Sequence, residues 1–459
     1  MRVDGLVFAD ETLIAPLRDD PSLEQVANVA TLPGIVGASL GMPDIHWGYG
    51  FPVGGVAAMR VDGGVVSPGG IGFDIDCGVR LLRSDIPAAE LRPLISRLVD
   101  GLAAAVPSGV GARLGERLAR QELDAVLEQG AAWAVARGHG SPDDLETTEE
   151  RGRLAGARPD VVSDRAKLRG ADQLGTLGSG NHFLEVQVVD RVDDPAAAAA
   201  YGLAPGTVAI MVHCGSRGLG HQVCTDHVAA MDRAMPRSGI VVPDRQLACA
   251  PLGSPEADDY LGAMAAAANF AWANRQLIAD AVRRTFASVL GQSWASLGLR
   301  QVYDLSHNIA KLETHEVDGR TIAVCVHRKG ATRAFPPGHP DVVDRYRAIG
   351  QPVLIPGDMG RCSYVCAGAA GSMRGAFGSA CHGAGRALSR HAALRTLRGI
   401  DVAAELAADG IVVRAERRDL LAEEASIAYK DVEAVVSTAV RAGLVHSVAR
   451  LRPIAVVKG

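Results

Sequence analysis

Six glycine-rich segments limit what this chain can fold into: LGMPDIHWGYGFPVGGV (40–56), GGIGFDIDCGVR (69–80), LGTLGSGNHFLEV (174–186), MVHCGSRGLGH (211–221), VHRKGATRAFPPGH (326–339) and GSACHGAGR (378–386). Glycine runs of this kind turn tightly or let backbone approach another group closely, so regular elements must fit between them. Apolar residues at three- and four-residue spacing predict helices over 91–106, 114–138 and 258–290, while FLEVQVV (183–189), TVAIMVH (207–213) and IAVCVH (322–327) read as strands. The 459 residues show no repeat of 20–50 residues and no Ser/Pro linker. The expectation is an α/β fold over 1–459 as one large domain, with a polar helical insertion near 110–170. Within that insertion, 144–170 carries Arg151, Arg153, Arg158, Arg165, Lys167 and Arg169. It reads as a solvated surface, with an RNA-facing strip as the alternative.

Charge and cysteine usage remove several classes. A net charge of −5 leaves only local basic patches to meet nucleic acid. The first residues hold no apolar signal core and the alanine runs are too short to span a bilayer, so no membrane is expected and the location is expected to be cytoplasmic. Eight scattered cysteines read as thiols rather than a disulfide framework. No GK dipeptide, HExxH or KxDG occurs, which excludes a Walker A loop, a zinc-protease helix and a lysine nucleotidyltransferase motif. GASLG (37–41) fits GxSxG by letter, yet Pro43 follows where a nucleophile elbow needs a helix.

What remains is a set of histidines where strands meet polar turns: His182 after GSGN, His213 ending TVAIMVH and His307 after YDLS. One such histidine is more often a packed core residue; three in the same setting favour ligands. Cys77 then has a use, since a thiolate has lone pairs enough to bridge two cations and Asp74 adds an oxygen; the set suits Mn²⁺, Fe²⁺, Co²⁺ or Zn²⁺. The competing reading of Cys77 is a small buried hydrophobe. His382 precedes a Gly-Ala-Gly turn whose N–H groups suit a phosphate, and a neutral imidazole can attack phosphorus. Cys362, Cys366 and Cys381 with His382 match zinc-knuckle spacing poorly. His327, Arg328, Lys329 and Arg333 cluster within seven residues, and Arg217 lies in HCGSRGLGH. Cations on such loops suit phosphate, with an ordinary exposed turn as the alternative.

Taken in order, MPDIHWGYGFPVGGV, GFDIDCGVR, LGTLGSGNHFLEV, HCGSRGLGH, NFAWANRQ, SHNIAK, VHRKGATRAFPPG, PVLIPGDMG, CHGAGR, AYKDV and the terminal VVKG resemble the RtcB-type RNA ligases along nearly the whole chain. The resemblance implies a single α/β domain with mixed β-structure around a central metal cleft. Asp74, Cys77, His182, His213 and His307 would hold two Mn²⁺ ions, with Cys77 bridging. His382 would take GMP from GTP, with Asn181 near the triphosphate and Asn308 beside the nucleotide. Glu185, Ser363, Tyr429 and Lys458 match guanine-recognising positions, Ala384 and Gly385 approach the ribose, and Pro356, Gly357, Asp358, Met359 and Gly383 complete the nucleotide site. Arg217, Lys329 and Arg333 would meet RNA phosphates. The implied reaction opens a 2′,3′-cyclic phosphate to a 3′-phosphate, transfers GMP onto it, and lets a 5′-hydroxyl displace GMP. The partners would be RNA ends and GTP; an activating protein partner is compatible with this, and a monomer is expected. A phosphoesterase of RNA ends and a non-catalytic RNA-end binder are the alternatives. The chain departs from the family pattern at Asp76, usually Asn or Gly, at Cys214, usually a residue such as Ser, and at Asp358, usually Ser. A carboxylate at 358 repels phosphate unless a cation such as Arg361, itself a departure from a small residue, compensates it.

Overall fold

The computed structural model describes residues 1–115 and 117–459. Alternation within the strands dictates the layers. In the strands Gly78–Pro87, Phe183–Val192 and Thr207–Cys214, the residues Leu82, Leu184, Val186, Ile210 and Val212 pack into one buried cluster. Val79, Leu81, Phe183, Ala209 and Met211 fill another, so both faces of the sheet are covered.

These strands sit in an eight-stranded sheet with the order Pro352–Ile355, Ser363–Gly368, Val445–Lys458, Phe183–Val192, Thr207–Cys214, Gly78–Pro87, Arg300–Ser306; Val412–Ala415 pairs beside Val445–Lys458. A five-stranded sheet runs Asp4–Val7, Ile35–His46, Val53–Arg60, Arg320–Lys329, Asn308–Val317. The architecture is mixed α/β. GASLG lies inside the strand Ile35–His46, so it forms no nucleophile elbow.

Register fixes the functional end of the large sheet. Gly78 pairs with Cys214 and with Ser306, Phe183 pairs with His213, and Lys458 pairs with Phe183. Cys77, His182, His213, His307 and Lys458 therefore reach one edge although they are spread along the whole chain.

The helix predicted over 258–290 is Pro255–Leu290. Ser254 caps it by accepting the Ala257 N–H, Pro255 takes a first-turn position, and Gly291 stops it at φ 68°. It packs against the strand Thr207–Cys214 and the helices Ile95–Ala105 and Arg217–Ala234. Other helical expectations are corrected. Over 91–106, Pro93 starts a 3₁₀ turn, Arg92–Leu94, and the helix proper is Ile95–Ala105. Over 114–138, where Glu116 lies outside the described residues, helix begins only at Arg120. It breaks at Gly130, whose φ of 59° separates Arg120–Gln129 from Ala131–Ala136.

The region 144–170 is not simply a solvated insertion. Asp144 and Glu149 are buried, because Arg283 and Lys311 inside the fold need carboxylate partners. Lys167 is buried against Asp124. Arg158 pairs with Asp160 and Asp259, and Arg169 donates to Gln222. No helix among the described residues is long and apolar enough to cross a membrane.

Candidate active site

At the sheet edge the five expected ligands meet. Cys77 Sγ lies 3.4 Å from His182 Nε2 and 3.2 Å from His213 Nε2. His182 Nε2 is 2.8 Å from Asp74 Oδ2, and His213 Nε2 is 3.2 Å from His307 Nε2. Two ligand sets result, Cys77 with His213 and His307, and Asp74 with Cys77 and His182; within each, the donor atoms lie within 4.8 Å of one another. Cys77 belongs to both. A metal–nitrogen bond of about 2.05 Å at a tetrahedral angle separates two donors by about 3.3 Å, close to the observed spacing.

The protonation chemistry fits a cation. Burial, with Asp74 beside it, pushes the Cys77 thiol up to about 12, so a thiolate there requires positive charge at hand. Burial and neighbouring histidines hold His213 and His307 well below the ordinary imidazole range, as neutral donors. Burial opposes protonation of His182 as well, but Cys77, Cys214 and Asp74 outweigh it and raise its pKa. His182 Nδ1 is committed to the Leu177 carbonyl at 2.9 Å, which orients Nε2 toward the cluster, while the buried His307 Nδ1 has no hydrogen-bond partner among the described residues. The donor set of one thiolate, one carboxylate and three inward Nε2 atoms fits divalent metal.

The cluster opens into a cavity of about 300 Å³. Asp74, Cys77, Asn181, Glu185, His213, His307, Asn308, Lys329, Pro356, Gly357, Asp358, Met359, His382, Gly383, Ala384, Gly385, Tyr429 and Lys458 line it. His182 reaches it through Asp74 and Cys77. Ser363 stands behind Gly357, its hydroxyl accepting the Gly357 backbone N–H at 3.3 Å and the Gln187 side-chain amide Nε2–H at 3.1 Å. Asn308 ties the loops together by donating to the Asp74 carbonyl and accepting from Gly330 N–H. Burial lifts Glu185 to about 7 and lowers Lys458 below the usual amine range.

His382 is held by a residue that sequence reasoning left without a role. Asp44 Oδ2 lies 2.6 Å from His382 Nδ1 and accepts the backbone N–H of His382 at 3.0 Å and of Gly383 at 3.3 Å. The Asp44 side chain is fully buried. With Nδ1 committed, Nε2 is the ring nitrogen left for chemistry. The His382 and His307 ring centroids are 4.8 Å apart. His46, Arg386, Arg390 and Glu424 also line the cavity without having been singled out. Tyr429 donates to Glu424 and lies under the Arg386 guanidinium.

The cation cluster of the sequence does not stay together. Lys329 faces the cavity and donates to the Tyr49 and Phe51 carbonyls; burial lowers it to about 7. Arg328 points to the other side and pairs with Glu313. Arg333 is buried against Glu150 and Gln351 beside a separate cavity, so it does not join the cleft. His327 accepts the Ser67 N–H. Arg217 braces the loops from outside, donating to Thr176 and the Gly109 carbonyl. Cys362, Cys366 and Cys381 sit in an apolar cluster and belong to neither ligand group found among the described residues.

The departures are accommodated. Asp76 lies buried against Arg275. Cys214 accepts from Asn274 Nδ2 at 3.1 Å. Asp358 accepts from Gly360 N–H, Arg361 N–H and Ser426, and pairs with Arg361 Nε at 2.5 Å.

The family model described as tRNA-splicing ligase RtcB matches residues 25–459. Among curated proteins, the tRNA-splicing ligase RtcB of Archaeoglobus fulgidus is 56% identical over 459 residues, covering 100% of this chain and 95% of the relative. That of Thermococcus kodakarensis is 56% identical with the same coverage. The RNA-splicing ligase RtcB of Mycobacterium tuberculosis is 57% identical over 438 residues, 95% of this chain and 100% of the relative. With a family model spanning nearly its full length and relatives this similar from end to end, the chain belongs to the RtcB family.

Proposed function

We propose that this RNA ligase uses GTP and Mn²⁺ to join 2′,3′-cyclic phosphate or 3′-phosphate ends to 5′-hydroxyl ends through a guanylylated His382. The observation that carries the reading is the buried Asp44 carboxylate on His382 Nδ1, in a cavity that the cysteine, carboxylate and imidazole cluster also lines. Asp74, Cys77, His182, His213 and His307 would hold two Mn²⁺ ions with Cys77 shared. Bound there, such ions supply positive charge and Lewis acidity for phosphate chemistry.

The chain's own groups account for the rest. Asp44 keeps the proton on Nδ1 and stabilises the positive ring that forms when Nε2 attacks the α-phosphorus of GTP. The N–P bond forms as the bond to pyrophosphate breaks. A cyclic end is first opened by water, which adds to phosphorus as the P–O2′ bond breaks; an oxygen of the resulting 3′-phosphate then takes the guanylyl group, releasing His382, and the 5′-hydroxyl attacks the activated phosphate, losing its proton, with GMP leaving. Glu185, Ser363, Tyr429 and Lys458 would read guanine, with Asn181 and Asn308 along the phosphates. Arg217 and Lys329 would meet RNA backbone. Incubation with α-labelled GTP and Mn²⁺ tests the reading. Acid-labile, base-stable label should appear on the protein and vanish in His382→Ala; no label on the wild-type chain refutes it.

A further inference from the structure

Arg275, in the middle of the helix Pro255–Leu290, is fully buried and spends all five of its N–H groups on three segments that carry proposed metal ligands. Nη1 donates to the carbonyls of Asp76 and Cys214, both at 2.8 Å. Nη2 donates to Asp76 Oδ2 at 2.9 Å and to Asp304 Oδ1 at 2.8 Å, and Nε lies 3.0 Å from both Asp304 oxygens. Asp76 precedes Cys77, Cys214 follows His213, and Asp304 lies three residues before His307. One planar group thus fastens the three chain segments that present the ligands sharing Cys77 and the His213–His307 pair.

The surroundings are built for that group. A Cβ on Gly78 would stand 2.2 Å from the Leu305 carbonyl, which demands glycine at this strand start, and 3.1 Å from the Arg275 guanidinium carbon, so the guanidinium packs closely on the bare backbone. Asp76 holds a φ of 55°, unusual outside glycine, which persists only where its surroundings hold it. Arg80 donates to Asp304 Oδ2 at 2.6 Å, so Asp304 takes hydrogen bonds from two buried arginines. Backbone bonds from Asp76 N–H to the Asn308 carbonyl at 2.8 Å and from His307 N–H to the Cys77 carbonyl at 2.9 Å join two of the segments, the strand ladder pairs Gly78 with Cys214, and Arg275 Nη1 adds a side-chain tie to the Cys214 carbonyl just beyond His213.

We infer that Arg275 is a positioning residue for the metal site: its guanidinium sets the spacing of Cys77, His213 and His307 and so the affinity and geometry with which a divalent cation is held. The inference rests on the metal-site reading above. Because the planar fork reaches Asp76, Cys214 and Asp304 at once, a lysine cannot replace it.

Cobalt titration of the metal-stripped full-length chain, followed by thiolate-to-cobalt charge-transfer absorbance, tests this without any turnover. Arg283 supplies the control. It lies on the same helix, is as deeply buried, and bonds Asp144 and the Leu299 carbonyl, eight residues before His307, rather than Asp76, Cys214 or Asp304. Arg275→Lys should weaken cobalt by about tenfold or more and alter the charge-transfer band, the range seen when groups that orient metal ligands are lost. Arg283→Lys should lower the melting temperature yet bind cobalt as the wild type does. Equal cobalt affinity and band shape in Arg275→Lys and Arg283→Lys overturns the inference. If Arg275→Lys does not fold, Asp304→Asn, which removes one acceptor and leaves the guanidinium, is measured instead: weaker cobalt binding supports the inference and unchanged binding overturns it. A wild-type chain with no thiolate–cobalt band sinks the metal-site reading itself, an outcome distinct from the other two.

Discussion

Arg361→Ala tests whether the carboxylate at 358 is tolerated because it is paired. Asp358 lines the cavity, its side chain is fully buried, and Arg361 Nε is 2.5 Å from it. Removing the guanidinium leaves a negative charge in the wall of a site proposed to take a triphosphate. A compact volume of about 300 Å³ is about 8 Å across, and at that distance one uncompensated charge against one phosphate charge costs about 2 kcal/mol at an effective dielectric of about 20. That corresponds to about 30-fold weaker GTP binding. Arg361 also donates to the carbonyls of Ser426 and Tyr429, at 2.6 and 3.1 Å, so part of any loss could come from a displaced Tyr429 rather than from charge. The double variant separates these causes. Asp358→Ser combined with Arg361→Ala removes both charges and should return affinity to within about threefold of wild type. Titration calorimetry with a non-hydrolysable GTP analogue reads the affinities, and the single-variant loss should shrink as salt rises. Unchanged affinity in Arg361→Ala, or a double variant as weak as the single one, refutes the electrostatic reasoning.

Asp44→Asn should slow labelling of His382 by about 10² or more while leaving nucleotide affinity within a few fold, because the amide no longer enforces the Nδ1–H tautomer; a single-turnover rate equal to wild type counts against it. Lys311, against opposing burial, and then Arg333 hold Glu150 at about 2, below its ordinary 4.5. Its lowered folded-state value contributes stability that is whole above about pH 4.5 and is lost as pH falls toward 2. With its side chain 32% exposed, the ideal loss of about 3 kcal/mol is discounted to about 1–2 kcal/mol. Glu150→Gln should flatten that acid limb in denaturant titrations, and an unchanged limb would contradict the assignment. Gly130→Ala should cost at least about 2 kcal/mol in chemical denaturation, since its φ is 59° and a Cβ would come 2.1 Å from the Gly152 carbonyl; a neutral substitution would show that the helix break is not held by this glycine.

The three proposed histidine ligands were legible because each lies where a strand meets a polar or glycine-rich turn, and strand register then brings those ends to one edge whatever their separation in sequence. Asp44 carried no such mark. It sits inside the strand Ile35–His46 among consecutive buried residues, so its pattern is that of core, and its partner His382 is 338 positions away. The opposite error befell Arg333. Proximity in sequence suggested a shared phosphate patch, but alternation along Arg320–Lys329 sends Arg328 to Glu313 and Lys329 to the cleft, and the chain after Gly330 carries Arg333 to Glu150. Charged residues inside the fold are placed by whichever opposite charge is buried with them, which no local pattern reports. Arg275 illustrates the rule from the other side. Flanked by Asn274 and Gln276 on a helix read only for its apolar spacing, it carried no mark of burial, and only the fold brings the carboxylates and carbonyls of distant segments onto it.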